Sequence, residues 1–226
     1  MMSSPEISRR GFIELSGAGL FVFFRATPIE ALQEPQQLPA RLSYPTDFNA
    51  YLRIGAGGRV TCFVGKVELG QGAKTSLAQL LAEELDVSYD SVDMVMGDTD
   101  LCPWDIGTFG SLNIWQFGPV LRAAGAEARA VLLEMAAEKL QVQVGRLRVK
   151  DGVITDPDSS RRITYAQLVE GRRIERHLKN VPLKPVSAFS IVGSSPRRKD
   201  ALEKVTGRAV YAGDVALKGV LQARIL

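Results

Sequence analysis

The sequence predicts an α+β fold in which a β-hairpin and a mixed sheet are packed by two main helices. Three observations carry that expectation. Apolar residues alternate through Ala50-Tyr51-Leu52-Arg53-Ile54 and Val60-Thr61-Cys62-Phe63-Val64, either side of Gly55-Ala56-Gly57-Gly58, the pattern of paired half-buried strands joined by a glycine turn. Leu77, Leu81 and Leu85, with Ala78 and Ala82, recur at helical spacing. Pro119 suits the first turn of a second helix running to about Leu140, with Leu121, Ala124, Ala128, Leu132 and Met135 turned inward.

Taken in order, residues 26–47 contain Pro28, Pro35, Pro39 and Pro45 among polar residues and read as a linker, so the fold is expected to start near Phe48. The hairpin leads into a loop over residues 65–72, then the first helix from Thr75 to about Leu85. Val92–Met96 reads as a short buried strand. The stretch from Gly97 to Gly118 has little regular pattern and holds Trp104 and Trp115, and loops of that length inside a compact domain tend to be functional. After the second helix, residues 147–149 and 153–154 flank Asp151-Gly152 as a further hairpin. Residues 165–169 suggest a short helix, and a polar, basic link runs on to Pro196.

Residues 197–226 read as the opening of a separate unit. They suggest a turn or helix around 200–205, an extended Ala209-Val210-Tyr211, a turn at 214–219 and a final apolar strand over 220–226. That strand has no partner after it, and unpaired strand edges leave backbone groups unsatisfied, so the sequence looks interrupted and weak or aggregation-prone folding is expected.

The chain has 226 residues, 28 Lys+Arg against 25 Asp+Glu, 46% hydrophobic and 23% charged residues, the makeup of a globular protein able to bury a core. Charge is unevenly spread: residues 26–141 carry 8 basic and 15 acidic side chains, residues 142–226 carry 17 and 8. The basic half has interleaved acids and few aromatics suited to stacking, which argues against nucleic acid and for a solvated or partner-facing surface. Cys62 and Cys102 are too few for a disulfide scaffold, a four-cysteine zinc site or an iron–sulfur cluster, and the single His177 leaves little room for a Ser-His-Asp triad. Cys62 is expected as a buried strand residue, Cys102 as a loop thiol and His177 as solvated.

The N-terminus reads Ser8-Arg9-Arg10-Gly11-Phe12, then an apolar run over residues 15–24 that stops at Arg25. The run is too short to span a bilayer, and two arginines before it resemble a twin-arginine export signal over residues 1–25. Glu14 stands where such signals carry a basic residue, and no Ala-x-Ala cleavage site follows. An amphipathic first helix is the other reading.

Three glycine-rich places differ in weight. Gly55-Ala56-Gly57-Gly58 lacks a third glycine and a following helix, so it is a hairpin turn and not a dinucleotide fingerprint. Gly65 and Gly70 have the gap of a phosphate-binding P-loop, but Gln71-Gly72 replaces the required Lys and Ser/Thr. Gly70-Gln71-Gly72 lies between a strand and a helix, where glycines admit close approach, helix-start N–H groups favour an anion, and the Gln71 amide both donates and accepts. A second loop, Gly107-Thr108-Phe109-Gly110-Ser111, adds backbone N–H groups and two hydroxyls. Asp98 and Asp100 are read as an Asx-type turn in preference to magnesium ligands.

Gly65-Lys66-Val67-Glu68-Leu69-Gly70-Gln71-Gly72 with Thr75 and Gln79, Ala82-Glu83-Glu84-Leu85, Gly97-Asp98-Thr99-Asp100, residues 107–111 and Gly118-Pro119-Val120-Leu121-Arg122 resemble the molybdopterin-binding subunit of xanthine oxidase-type molybdenum hydroxylases. Gly193, Arg197, Asp200, Lys204-Val205-Thr206-Gly207, Ala209, Tyr211, Asp214 and Gly219 resemble the start of that family's hammerhead domain. The likeness is strongest to bacterial large subunits of isoquinoline 1-oxidoreductase and related aldehyde or nicotinate dehydrogenases.

The resemblance implies a partial molybdopterin-binding domain over residues 48–185 and the beginning of a hammerhead-like α/β unit over 186–226, as the N-terminal portion of a longer subunit. It implies that Gly70, Gln71, Gly72, Thr108, Phe109, Gly110 and Ser111 touch a molybdenum–molybdopterin cofactor. It further implies an oxidoreductase hydroxylating an N-heterocycle or aldehyde with oxygen from water, a small [2Fe–2S] partner subunit, a cytochrome c acceptor, and a periplasmic, membrane-associated location. Glu68 reads as a structural motif residue, and no catalytic or metal-ligating residue is assigned. A non-catalytic cofactor-loop binding or assembly module is the alternative, with this chain alone inactive in either case.

Overall fold

The computed structural model describes residues 19–24, 50–102, 104–170, 173–174, 178, 181–219, 221 and 223–225. Strand β1 is Gly19–Phe24. The expected hairpin is β2, Ala50–Gly55, and β3, Val60–Val64, antiparallel with Leu52 opposite Cys62. Its turn closes through Gly58 N–H to Gly55 O at 2.9 Å, with Gly58 at φ +77°, a backbone region that L side chains rarely adopt.

Helix α1, Ala73–Leu85, crosses over to β4, Val92–Met96, which pairs parallel to β3. Parallel neighbours need a crossover of about a dozen residues, and the helix supplies it. Helix α2, Gly118–Leu140, has Pro near its start as expected and is preceded by a π-helical turn, Asn113–Phe117, which shortens the irregular loop.

A three-stranded antiparallel sheet follows: β5 Arg148–Lys150, β6 Val153–Thr155 and β7 Arg162–Thr164. Helix α3, Tyr165–Val169, is capped by Thr164, whose hydroxyl accepts the Gln167 N–H while the Gln167 side chain returns to the Thr164 N–H. Strand β8, Arg173–Ile174, completes the main sheet in the order β4-β3-β2-β1-β8, and α4 is Ala201–Val205.

The core lies between one face of the main sheet and the two long helices. Leu52, Ile54, Val60, Cys62, Val64, Val92 and Met94 are buried in the strands, and Leu77, Leu81, Leu85, Leu121, Ala128 and Leu132 in the helices. A Cβ on Gly125 of α2 would stand 3.0 Å from Glu84 Cβ and 3.2 Å from Leu81 Cδ1, so glycine there sets how closely α2 approaches α1.

Two sequence expectations are corrected. Residues 221 and 223–225 form no strand, and Leu221 and Ile225 are fully exposed. Nor is Ala209-Val210-Tyr211 paired; it leads into a short 3₁₀ turn, Ala212–Asp214. The physical reason is the same for both, because a strand is stable only beside another whose N–H and C=O groups complete its own. The end of the apolar N-terminal run, read as part of an export leader, is here β1: six residues pair antiparallel with β2, and Leu20 and Val22 are buried. Arg9, Arg10, the rest of the leader, the 26–47 linker and His177 lie outside the described residues.

Candidate cofactor-binding site

Because β3 and β4 run parallel, the loops that leave them emerge at the same end of the sheet. These are the two glycine loops singled out in the sequence, and side chains stitch them together. Lys66 Nζ donates to Asp105 Oδ1 at 2.7 Å and to Gly107 O at 2.8 Å, and the Val67 N–H donates to the Thr108 hydroxyl at 2.8 Å. The Lys66–Asp105 pair is largely withdrawn from solvent. Asp105 Oδ1 also accepts the Gly107 N–H at 2.8 Å, so its lone pairs hold the second loop while its charge anchors the first.

Within the first loop, Glu68 occupies the start of α1. Its Oε1 accepts the N–H groups of Gly70 at 2.8 Å and Gly72 at 2.9 Å, and its Oε2 that of Lys74 at 2.9 Å. Burial pushes this carboxyl up, but the three N–H donors outweigh it and hold it below the usual carboxylate range. Glu68 is therefore the anion at this helix start, which agrees with a structural part and not with a proton-accepting one.

The Gln71 amide closes its own loop: its Oε1 accepts the Leu69 N–H at 2.6 Å and its Nε2 donates to Val67 O at 3.0 Å. A primary amide has two N–H donors and two acceptor lone pairs, so one of each remains for a ligand. Gly70 and Gly72 sit at φ +108° and +86°, and a Cβ on Gly70 would meet nothing within 4 Å. Open space surrounds Gly70, whereas the Arg198 guanidinium lies beside Gly72, 3.7 Å from where its Cβ would stand. In the second loop Gly107 and Gly110 also have positive φ, and Ser111 at +57° takes a left-handed conformation that costs a non-glycine residue about 1 kcal/mol. Gly70, Gln71, Phe109, Gly110 and Ser111 are exposed, and Thr108 is half-buried.

The same loops carry exposed Leu69, Trp104, Phe109 and Trp115, apolar surface beside neutral donors. Asp98 Oδ1 accepts the N–H groups of Asp100 and Leu101, both at 2.9 Å, which is the expected Asx turn. Cys62 is buried, as expected, and Cys102 Sγ lies 3.4 Å from Val95 O. No group of three or more His, Cys, Asp or Glu among the described residues could hold a metal ion.

One part of the site was missed from the sequence. Residues 184–200 lie along α1 as a strap. Glu83, buried in the last turn of α1, accepts the N–H groups of Ser190, Ile191 and Val192 at 2.9, 2.6 and 3.0 Å and the Lys184 ammonium at 2.9 Å. Gln79 donates to Ile191 O and Ser194 O, and Thr75 Oγ1 accepts the Lys199 N–H at 3.0 Å. Thr75, Gln79 and Glu83 are spaced by four, a polar stripe that could have been read from the sequence as an attachment line. At the strap's end Arg198, and not the neighbouring Arg197 of the sequence motif, reaches the glycine loop. It donates to Gly70 O at 3.1 Å and grips Asp200 through two bonds of 2.9 Å.

Two glycine-rich loops lie at the carboxyl ends of adjacent parallel strands, where backbone and neutral donors could receive a ligand. Residues 4–215 match the molybdopterin cofactor-binding domain family, and the chain belongs to that family. It is 37% identical over 177 residues to one of the subunits of nicotinate dehydrogenase from Pseudomonas putida, across 78% of this chain and 15% of the relative. It is 30% identical to the beta subunit of isoquinoline 1-oxidoreductase from Brevundimonas diminuta, across 99% of this chain and 34% of that one. The CO dehydrogenase structure from Oligotropha carboxidovorans aligns at TM-score 0.45 and 29% identity, over 53% of this chain and 15% of the other. The chain thus spans about a third or less of the length of these relatives. The expected cofactor, molybdenum–molybdopterin, is the one that goes with the family. The residues present fit it: the open glycine turn, the free half of the Gln71 amide and the Thr108 and Ser111 hydroxyls suit a phosphorylated heterocycle, with the nearest carboxylates, Glu68 and Asp105, already held by donors.

Proposed function

We propose that this chain supplies part of the cofactor cradle of a molybdenum hydroxylase acting on an N-heterocycle or an aldehyde, with water as the source of oxygen. The observation that carries the reading is the stitching of the two glycine loops, Lys66 to Asp105 and Gly107 and Val67 to Thr108. When bound, the molybdenum–pterin group supplies the two-electron oxidation of substrate carbon. The chain's own residues bind and orient. Gln71 offers its remaining amide N–H, Gly70 and Gly72 admit close approach of backbone, and residues 108–111 offer N–H groups and hydroxyls from the other side. Phe109 and the exposed tryptophans exclude water from one flank. Relatives named nicotinate dehydrogenase and isoquinoline 1-oxidoreductase favour an N-heterocycle over an aldehyde as substrate. Electrons would pass to a small [2Fe–2S] partner protein, then to a cytochrome c, in the periplasm after twin-arginine export and in association with the membrane.

The test is elemental and pterin analysis of the protein purified from its host, with turnover of nicotinate, isoquinoline and aldehydes. Near-stoichiometric molybdenum with turnover of one class supports the reading. Because this chain alone is expected to be inactive, stoichiometric molybdenum counts against the non-catalytic binding or assembly module, whereas a protein without molybdenum would favour that module and sink the cofactor reading. Gln71→Ala is expected to lower cofactor content and not merely turnover.

A further inference from the structure

We propose that Arg198 is a positioning residue for the cofactor loop, delivered by the strap to screen the negative charge of Glu68 from an anionic ligand. This deepens the function proposed above and rests on it.

Glu68 places a full negative charge inside the turn that would have to accept a phosphorylated cofactor. Its three N–H partners satisfy its lone pairs but carry only partial charges. Among the described residues, the guanidinium that approaches it is that of Arg198, 3.7 Å from Glu68 Oε1. The same group is tied to Gly70 O, so it meets the loop at a backbone atom as well as through charge. An Arg198 guanidinium nitrogen lies 3.7 Å from where a Cβ of Gly72 would stand, which puts the group directly over the glycine turn.

Arg198 is held for this position. Asp200 takes its fork through two 2.9 Å bonds, and Lys204 in turn sits 2.6 Å from Asp200. The backbone on either side is fixed to neighbouring elements, by Lys199 N–H to Thr75 Oγ1 of α1 and by Tyr89 O–H to Arg197 O at 3.0 Å. A planar guanidinium suits this arrangement, since it satisfies a carboxylate with one edge and a carbonyl with the other.

The experiment uses the full protein purified from its host and reads molybdenum and pterin per chain after dialysis at low and high salt, with far-UV circular dichroism as a fold control. Arg198→Ala is expected to retain about tenfold less cofactor, the size of one charge-assisted hydrogen bond. High salt should narrow the deficit, because ions entering the solvent-facing turn partly screen the half-buried Glu68 carboxylate from an anionic ligand. Arg198→Lys, which keeps the charge, should retain most of the cofactor. Adding Glu68→Gln to Arg198→Ala should restore it in part. Equal loading of wild type and Arg198→Ala, equal losses in the Lys and Ala variants, or a double variant no better than Arg198→Ala each overturns the inference. Wild type lacking molybdenum and pterin overturns the functional reading itself, a distinct outcome.

Discussion

Lys66 and Asp105, 39 residues apart, form a 2.7 Å ion pair that joins the two glycine loops, and both side chains are largely buried. Removing one partner of such a pair leaves an uncompensated charge out of water, which costs about 3–5 kcal/mol. Lys66→Ala is therefore expected to lower stability by about 3 kcal/mol and to free residues 105–108 from the first loop. Chemical denaturation measures the first effect, and faster proteolysis between Cys102 and Ser111 the second. An unchanged midpoint would mean that the pair is replaceable by water.

Glu83 predicts an acid limit. Burial pushes its carboxyl up, but the N–H groups of Ile191, Val192 and Ser190 and the Lys184 ammonium prevail and lower it. A group whose folded value lies below its unfolded one adds stability above the ordinary carboxylate value near 4.5, and that stability is lost as pH falls through the folded value. Melting temperature should drop more steeply below pH 4.5 in wild type than in Glu83→Gln, which should already be the less stable protein at neutral pH. Parallel curves would contradict the assignment.

Strand β1 bears on the leader. Leu20 and Val22 are buried, and Gly19–Phe24 pairs with β2 over its whole length. Fully burying two such aliphatic side chains is worth about 4 kcal/mol in total, before any ladder bond is counted. Deleting residues 1–25 should therefore destabilise the domain and expose the edge of β2, read as a lower melting temperature and increased dye binding to apolar surface. A deletion variant as stable as the full chain would show that the leader region is dispensable to the fold.

Gly125 tests the helix interface. With Glu84 Cβ and Leu81 Cδ1 at 3.0 and 3.2 Å from its virtual Cβ, Gly125→Val must push α2 away from α1. Overpacking of this kind costs about 1–3 kcal/mol, measurable by urea denaturation. No loss would imply that the helices separate freely.

Much of the scaffold was legible in the chain. The hairpin turn follows from Gly55-Ala56-Gly57-Gly58, α1 from leucines at every fourth position, and α2 from Pro119 and its alanine-rich inner face, since each signal is local and repeats at the period of its element. The third strand of the small sheet, Arg162–Thr164, was not legible, because three residues are too few to establish a period. The strap was not legible: its residues read as a link up to Pro196 and the opening of a separate unit from Arg197, because what orders residues 184–200 is a set of side chains on another element.

What the sequence determined by itself is the hairpin, the two long helices and the two glycine loops, together with the family to which they point. Local dihedral preferences and hydrophobic spacing are enough for that. Only the tertiary structure decided that Gly19–Phe24 joins the sheet, that the described residues 221 and 223–225 form no strand, and that Arg198, not Arg197, sits over Gly72. Those outcomes depend on which distant partner lies within reach, and on whether it completes a strand's hydrogen bonds or balances a buried charge.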